Sequence, residues 1–197
     1  DWKFIDQDKN ILKKKIIEKK IGTQPMSTLS LYDSPSLQKI NAENFVHEKF
    51  PLSSSLGSIV RRKSRKKIRI GYYSADFCNH VMSYLLVNLF ELHDKSAFEI
   101  FGFSFGPEKN DEMQQRIFTT FDKIVNIKFK SNNEIVRLSR DLNIDIAIDL
   151  MSFTQHNRFG IFIEKCAPIQ INFLGYPGTS GSKCIDYILA DKIIIPE

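Results

Sequence analysis

No apolar run in the 197-residue chain approaches the roughly 20 residues that a helix needs to cross a bilayer. The opening stretch, DWKFIDQDKNILKKK, is charged throughout and has no apolar segment of the kind a secretory leader requires. Cysteine is scarce: Cys78, Cys166 and Cys184 are odd in number and far apart, with no C-x-x-C pair and no histidine at zinc-ligand spacing. That argues against a disulfide framework or a structural zinc, and a reducing cytoplasmic compartment is the expectation. No internal repeat is evident, and neither a disordered nor a collagen-like composition fits. What is present is 42% hydrophobic residues, enough to bury one good core, or one α/β domain with a helical appendage. The chain starts at Asp1 rather than Met and stops at Pro196-Glu197, just after the apolar run Ile193–Ile195, so both ends are expected to be internal to a longer protein.

The net charge is +5, yet setting aside the six basic residues of Arg61–Lys67 (RRKSRKK) leaves the rest of the chain at −1. The basicity is therefore local. Such a cluster can touch nucleic acid or acidic lipid, but no stacking aromatics interleave it as single-strand binding requires. Its position between a helical region and the first strand predicts a solvated linker, with neither nucleic acid nor membrane as partner.

Residues 9–20 (KNILKKKIIEKK) set Ile11, Leu12, Ile16 and Ile17 at helical spacing, with Gly22 as the stop. Residues 34–48 predict a second helix, with Ser34 as N-cap, Pro35 at the first helical position, and Leu37, Ile40 and Phe45 facing inward. The intervening GTQPMSTLSLYD reads as extended or irregular, and Lys49–Lys67 as linker. From Ile68 onward, apolar runs alternate with helical segments, the pattern of βα units around a parallel sheet. Strands are predicted at 68–73, 98–105, 123–127, 144–150, 169–174 and 187–190. Helices fall near 82–94, 110–121 and 132–142, with a helical turn around 158–165.

Ligands of open parallel sheets bind beyond the carboxyl ends of the strands. Three loops meet that condition: SADFCNH after the first strand, MSFTQHNR after IDIAIDL, and GYPGTSG after IQINFL. Asp76 and His80 are four apart, so a loop that turns into a helix near Asn79 lets both face one pocket, where a carboxylate orients an imidazole as a general base requires. Spacing alone favours a plainer arrangement, in which Asp76 caps the following helix and His80 packs on it. GYPGTSG places three glycines and two hydroxyls in seven residues, which lets backbone N–H groups approach a ligand. It is neither a Walker loop nor G-x-G-x-x-G, and a tight turn is its other reading. Asp145 and Asp149 alternate with a period of two, Asp149 being nearer the functional edge. In the polar loop His156-Asn157-Arg158, the arginine is expected to be able to pair with Asp149, as a structural or a catalytic ion pair.

IRIGYYSADFCNH, IDIAIDLMSFTQHNR and APIQINFLGYPGTSGSKCIDYILAD, in that order and spacing, resemble the catalytic region of the protein O-linked N-acetylglucosaminyltransferases and the SPINDLY-type proteins, family 41 of the glycosyltransferases. The match covers residues 68–197 and, more loosely, the stretch from Asp1. The fold this resemblance implies is α/β: a Rossmann-like parallel sheet forming one lobe of a GT-B glycosyltransferase, preceded by a short helical segment. Residues 1–48 would be the end of a tetratricopeptide-like array and its bridge, 49–67 the basic linker, and 68–197 most of the N-terminal catalytic lobe. The second lobe, which in this family holds most sugar-nucleotide contacts, would lie outside the chain. For His80 the resemblance implies the role of the family's activity-requiring histidine, close to acceptor and sugar nucleotide, with Asp76 matching the aspartate of the same loop. Gly175, Tyr176, Pro177, Gly178, Thr179, Ser180 and Gly181 match the glycine-rich, substrate-binding loop at the lobe cleft. The chain departs from the pattern in having Val81 where the family usually has proline, and Met26 where animal members have histidine. The second departure leaves His80 as the imidazole candidate.

The activity implied is inverting transfer of N-acetylglucosamine from UDP-GlcNAc to a Ser or Thr hydroxyl of a protein. No cofactor and no metal are expected, and the partners would be protein acceptors and a sugar nucleotide. The 197 residues by themselves are expected to be inactive. Two other readings stay open: a SPINDLY-like transfer of fucose from a guanosine donor, and a noncatalytic tetratricopeptide scaffold with a vestigial lobe.

Overall fold

A computed structural model describes residues 2–20, 22–51, 56–59 and 65–195. Helices come first: a 3₁₀ turn at Trp2–Phe4 leads into α1 (Ile5–Ile17), followed by α2 (Pro25–Leu31) and α3 (Pro35–Lys49). The expectation of extended chain in GTQPMSTLSLYD is corrected by α2. Pro25 takes its first position, where a missing N–H breaks no helical bond, and the fully buried Thr28 hydroxyl accepts from Asn41 Nδ2 of α3 at 2.6 Å. Packing on α3 thus decides a segment whose local propensities are weak. α3 follows its own signals, with Ser34 Oγ accepting the Leu37 N–H and Pro35 opening the helix.

Downstream, six strands alternate with four helices: β1 (Ile68–Ser74), α4 (Val81–Glu91), β2 (Phe98–Ser104), α5 (Glu112–Thr120), β3 (Lys123–Asn126), α6 (Asn132–Asp141), β4 (Ile146–Asp149), α7 (Gly160–Ile163), β5 (Ile169–Phe173) and β6 (Tyr187–Leu189). All pairings are parallel and the order is β3-β2-β1-β4-β5-β6. The sheet is buried on both faces, which explains why its central strands are continuously apolar rather than alternating. Ile70, Tyr72 and Ile100 face a core with Leu86 and Phe90 of α4 and Ile117 of α5. Their neighbours Tyr73, Phe101, Phe103 and Ala147 face the opposite core, with Ile135 and Val136 of α6 and Phe162 of α7. Tyr73 stacks on Phe103 at 4.3 Å, and its hydroxyl meets Ser139 Oγ at 2.6 Å, so a large ring is buried without orphaning its polar end.

The second core also receives the N-terminal segment. Phe45 of α3 packs edge-on against Phe153 (5.4 Å), and Phe50 against Phe159 (5.5 Å). Within the predicted linker, Leu56 packs on this core and Arg140 Nη1 donates to the Leu56 and Gly57 carbonyls. Arg65 reaches the Asn143 carbonyl at 3.4 Å, and Arg61–Ser64 lie outside the described residues. Among the described residues no helix is long and apolar enough to cross a membrane.

Candidate functional site

β1 and β4 are neighbours, and the strand order reverses between them. Their following connections therefore diverge to opposite faces and leave a crevice at the carboxyl edge. Asp76, His80, Val81 and Met82 line it from the β1 side, Leu150, Thr154, Gln155 and His156 from the β4 side, and Gly175 from the end of β5, around about 300 Å³.

The β1 loop turns when Ser74 Oγ accepts the Asp76 N–H at 2.9 Å, while the Asp76 carbonyl accepts from Ser83 Oγ. His80 is extended and caps α4, its Nδ1 accepting the Met82 N–H at 3.3 Å. The capping arrangement expected from spacing is thus inverted: the imidazole, not the Asp76 carboxylate, satisfies the helix end. A capping Nδ1 uses its lone pair, so the ring in this geometry carries its proton on Nε2. Asp76 Oδ2 lies 3.7 Å from the same Nδ1, too far for a hydrogen bond but within ion-pair reach once the ring is protonated. Burial pushes the Asp76 carboxyl above its ordinary range, opposed by His80, then His156, then Lys109. The result is a carboxyl of raised proton affinity that shares one crevice with two imidazoles, a combination suited to acid–base work.

Val81 is the first residue of α4. Proline there would pre-set the helical backbone, so this departure from the family pattern bears on how α4 starts. Met26 packs from α2 against the core.

In the sequence His156 stands only as part of a polar loop with Arg158, with His80 as the imidazole candidate. Its usable signal is topological: the β4 loop faces the β1 loop only because β4 pairs with β1, and local periodicity does not state strand order. The expected Arg158–Asp149 pair does not form. Arg158 donates instead to the Ile127 and Lys130 carbonyls and to Asn132 Oδ1, at 3.0, 2.7 and 2.6 Å. Asp149 turns inward, only 2% exposed, and its Oδ1 accepts the N–H groups of Met151 and Ser152 at 2.9 and 3.0 Å. Burial raises its carboxyl to about 6 against the pull of those two bonds. Asp145 lies at the other end of the strand, where it accepts the Arg69 N–H.

The structure divides the glycine-rich loop among three surroundings. Gly175, at φ +69°, backs onto the Leu150 carbonyl so closely that a Cβ has no room, and it closes the crevice floor. Tyr176 is buried and packs edge-on against Phe153 at 5.3 Å. Pro177, Gly178, Thr179, Ser180 and Gly181 line a neighbouring groove of about 780 Å³, whose other wall includes Gln38, Lys39 and Glu43 of α3. Among the described residues, no three His, Cys, Asp or Glu side chains gather as a metal site.

Comparison with known proteins agrees with this architecture. The family model described as glycosyl transferase family 41 matches residues 37–197. A probable UDP-N-acetylglucosamine–peptide N-acetylglucosaminyltransferase SEC of Arabidopsis thaliana is 33% identical over 147 residues, covering 74% of this chain and 15% of that protein. The UDP-N-acetylglucosamine–peptide N-acetylglucosaminyltransferase of Caenorhabditis elegans is 31% identical, over 66% of this chain and 12% of its own length. A probable transferase named SPINDLY, also from A. thaliana, is 27% identical, over 66% of this chain and 15% of its own length. The chain thus spans only a small part of the curated relatives it matches. Among solved structures, a mutant O-GlcNAc transferase of Thermobaculum terrenum superposes with a TM-score of 0.73 at 28% identity, over 82% of this chain and 31% of that one. With the family match running from α3 to the last residue, in a chain most of which superposes on a solved O-GlcNAc transferase, the chain belongs to glycosyl transferase family 41.

Proposed function

We propose that the protein transfers N-acetylglucosamine from UDP-GlcNAc to Ser or Thr hydroxyls of protein acceptors, with inversion, and that the crevice between the β1 and β4 loops is where acceptor oxygen and anomeric carbon meet. The observation that carries this reading is the grouping of Asp76, His80 and His156 at one reversal of strand order. The acceptor oxygen attacks the anomeric carbon as the uridine diphosphate leaves. The hydroxyl proton must go to a nearby base, and the reactants must be held in line. In this reading Asp76, whose carboxyl binds a proton more readily than an exposed one, takes the proton, and the Nε2–H of His80 orients the reacting oxygens. Gly175 lines the crevice while backing onto the Leu150 carbonyl, and Thr179 and Ser180 offer hydroxyls in the adjoining groove.

The printed names of the relatives support the donor and acceptor classes. Residues 1–48 are, in this proposal, the end of a tetratricopeptide-like array and its bridge, ahead of the linker 49–67 and the lobe 68–197. A reducing, cytoplasmic setting suits three free, buried cysteines, and no cofactor is assigned a role. The test is to incubate the complete gene product with a Ser/Thr peptide and either UDP-GlcNAc or GDP-fucose, and to read the mass added. Addition of N-acetylhexosamine supports the proposal. Addition of deoxyhexose alone would move it to the SPINDLY-like reaction, and addition of neither would favour a scaffold.

A further inference from the structure

The loop that carries Thr154, Gln155 and His156 into the crevice is fastened at three places. Its far end is held by Arg158, through two carbonyls and Asn132. Its middle is held by Phe153, wedged among Phe45, Phe159 and Tyr176. Its near end rests on the carboxyl of Asp149, whose Oδ1 accepts both the Met151 and the Ser152 N–H. Ser152 stands at φ +46°, a left-handed backbone that a side-chain-bearing residue adopts only when its surroundings hold it there. Both amide groups would be orphaned in a dry interior without that oxygen.

The group is not placed there for packing. Asp149 is 2% exposed, and neither its Oδ2, nor the buried Ser152 Oγ, nor the side-chain amide of Asn172 has a partner among the described residues. Asn172 is the residue opposite Asp149 across the β4–β5 pairing. A core selected for stability alone would be apolar here.

We propose that Asp149 is a positioning residue of the transfer site: it fixes the first turn of the β4 loop and so sets Thr154 and His156 against Asp76. This rests on the function proposed above for the same crevice. Without the carboxyl oxygen, the Met151 and Ser152 amides lose their acceptor, Ser152 leaves its left-handed backbone and the crevice wall shifts. A displacement of order 1 Å at a reacting centre lowers turnover about a hundredfold.

The experiment has two arms. In the 197-residue chain, amide hydrogen exchange by NMR should show Met151 and Ser152 protected in the wild type and in Asp149→Asn, whose Oδ1 remains an acceptor. Both amides should be exposed in Asp149→Ala, with shifted resonances at Thr154 and His156. Should Asp149→Ala fail to fold, the same measurement is made on Asp149→Ala combined with Ser152→Gly, which adopts the left-handed turn unaided. In the complete gene product, Asp149→Ala should lower kcat about a hundredfold with KM for the donor changed by less than about threefold, and Asp149→Asn should restore kcat. The proposal is overturned if Asp149→Ala keeps the two amides protected, if a loosened loop leaves kcat at the wild-type value, or if Asp149→Asn is as slow as Asp149→Ala. Should the wild type transfer no sugar at all, the functional reading falls, and the exchange data alone decide whether Asp149 holds the loop.

Discussion

Replacing Asp149 by Asn isolates the charge of this buried group from its hydrogen bonds. The amide oxygen still accepts from Met151 and Ser152, while the ionisable oxygen becomes an N–H₂. Burial raises the folded-state carboxyl from 3.8 to about 6. The native state therefore keeps a proton that the unfolded chain has already released between pH about 4 and about 6, so wild-type stability falls across that window as pH rises and stays lower above it. At about 1.4 kcal/mol per unit, the shift of about two units corresponds to roughly 3 kcal/mol. Asn escapes this loss but brings an extra donor, at about 1 kcal/mol, which leaves a net gain of roughly 2 kcal/mol near pH 7.5. For a domain of this size that is a rise in Tm of about 4–8 °C. The nearby thiols, pushed up by burial to about 12 at Cys166 and about 11 at Cys184, and the Tyr73 phenol, raised by its own burial, stay neutral throughout. The assay is thermal unfolding of both proteins by circular dichroism from pH about 4 to about 8, taking their difference so that other carboxylates cancel. A difference that does not grow with pH, or a variant less stable than wild type near pH 7.5, would refute the reasoning.

Three further outcomes are expected. His80→Ala should lower Tm by about 2–4 °C through loss of a cap worth about 1 kcal/mol, whereas His80→Asn, which keeps a capping acceptor, should melt within about 1 °C of wild type. Gly181→Ala should destabilise by more than about 1 kcal/mol in denaturant titration, because φ is +60° and the new Cβ would lie 2.6 Å from the Glu43 nitrogen of α3. Changing Arg65, Lys66 and Lys67 together to Ser should move stability by less than about 0.5 kcal/mol, since their described hydrogen bonding amounts to one exposed contact at 3.4 Å.

The βα alternation from Ile68 onward was legible because each strand is a short apolar run bounded by polar or glycine-containing turns, and α3 because Ser34 and Pro35 announce its start. α2 was not, since PMSTLSL becomes helical only when the Thr28 hydroxyl accepts from Asn41 and the segment packs on α3. β4 spans Ile146–Asp149, shorter than IDIAIDL suggests, although the main chain of Asp145 and Leu150 on either side still bonds to β1. In the site, Asp76 and His80 share a crevice as their spacing allowed, but which of them caps α4 depends on the His80 rotamer, which spacing does not encode. Arg158 and Asp149 invite pairing because the loop that carries the one follows the strand that ends in the other. The inward turn of one and the carbonyls near Asn132 that claim the other arise from tertiary structure alone. The same holds for GYPGTSG: its glycines are adjacent in sequence, yet Gly175 serves the crevice and Gly181 the approach of α3.

The most direct test of the claim that the β1–β4 crevice is a sugar-transfer site is the turnover of His80→Asn in the complete gene product, measured by mass spectrometry with saturating UDP-GlcNAc and a Ser/Thr peptide. Because Asn keeps the cap but lacks the imidazole, transfer should fall by at least about a hundredfold while the melting temperature holds. Wild-type turnover by that variant would contradict the assignment and return Asp76 and His80 to a structural role at the start of α4.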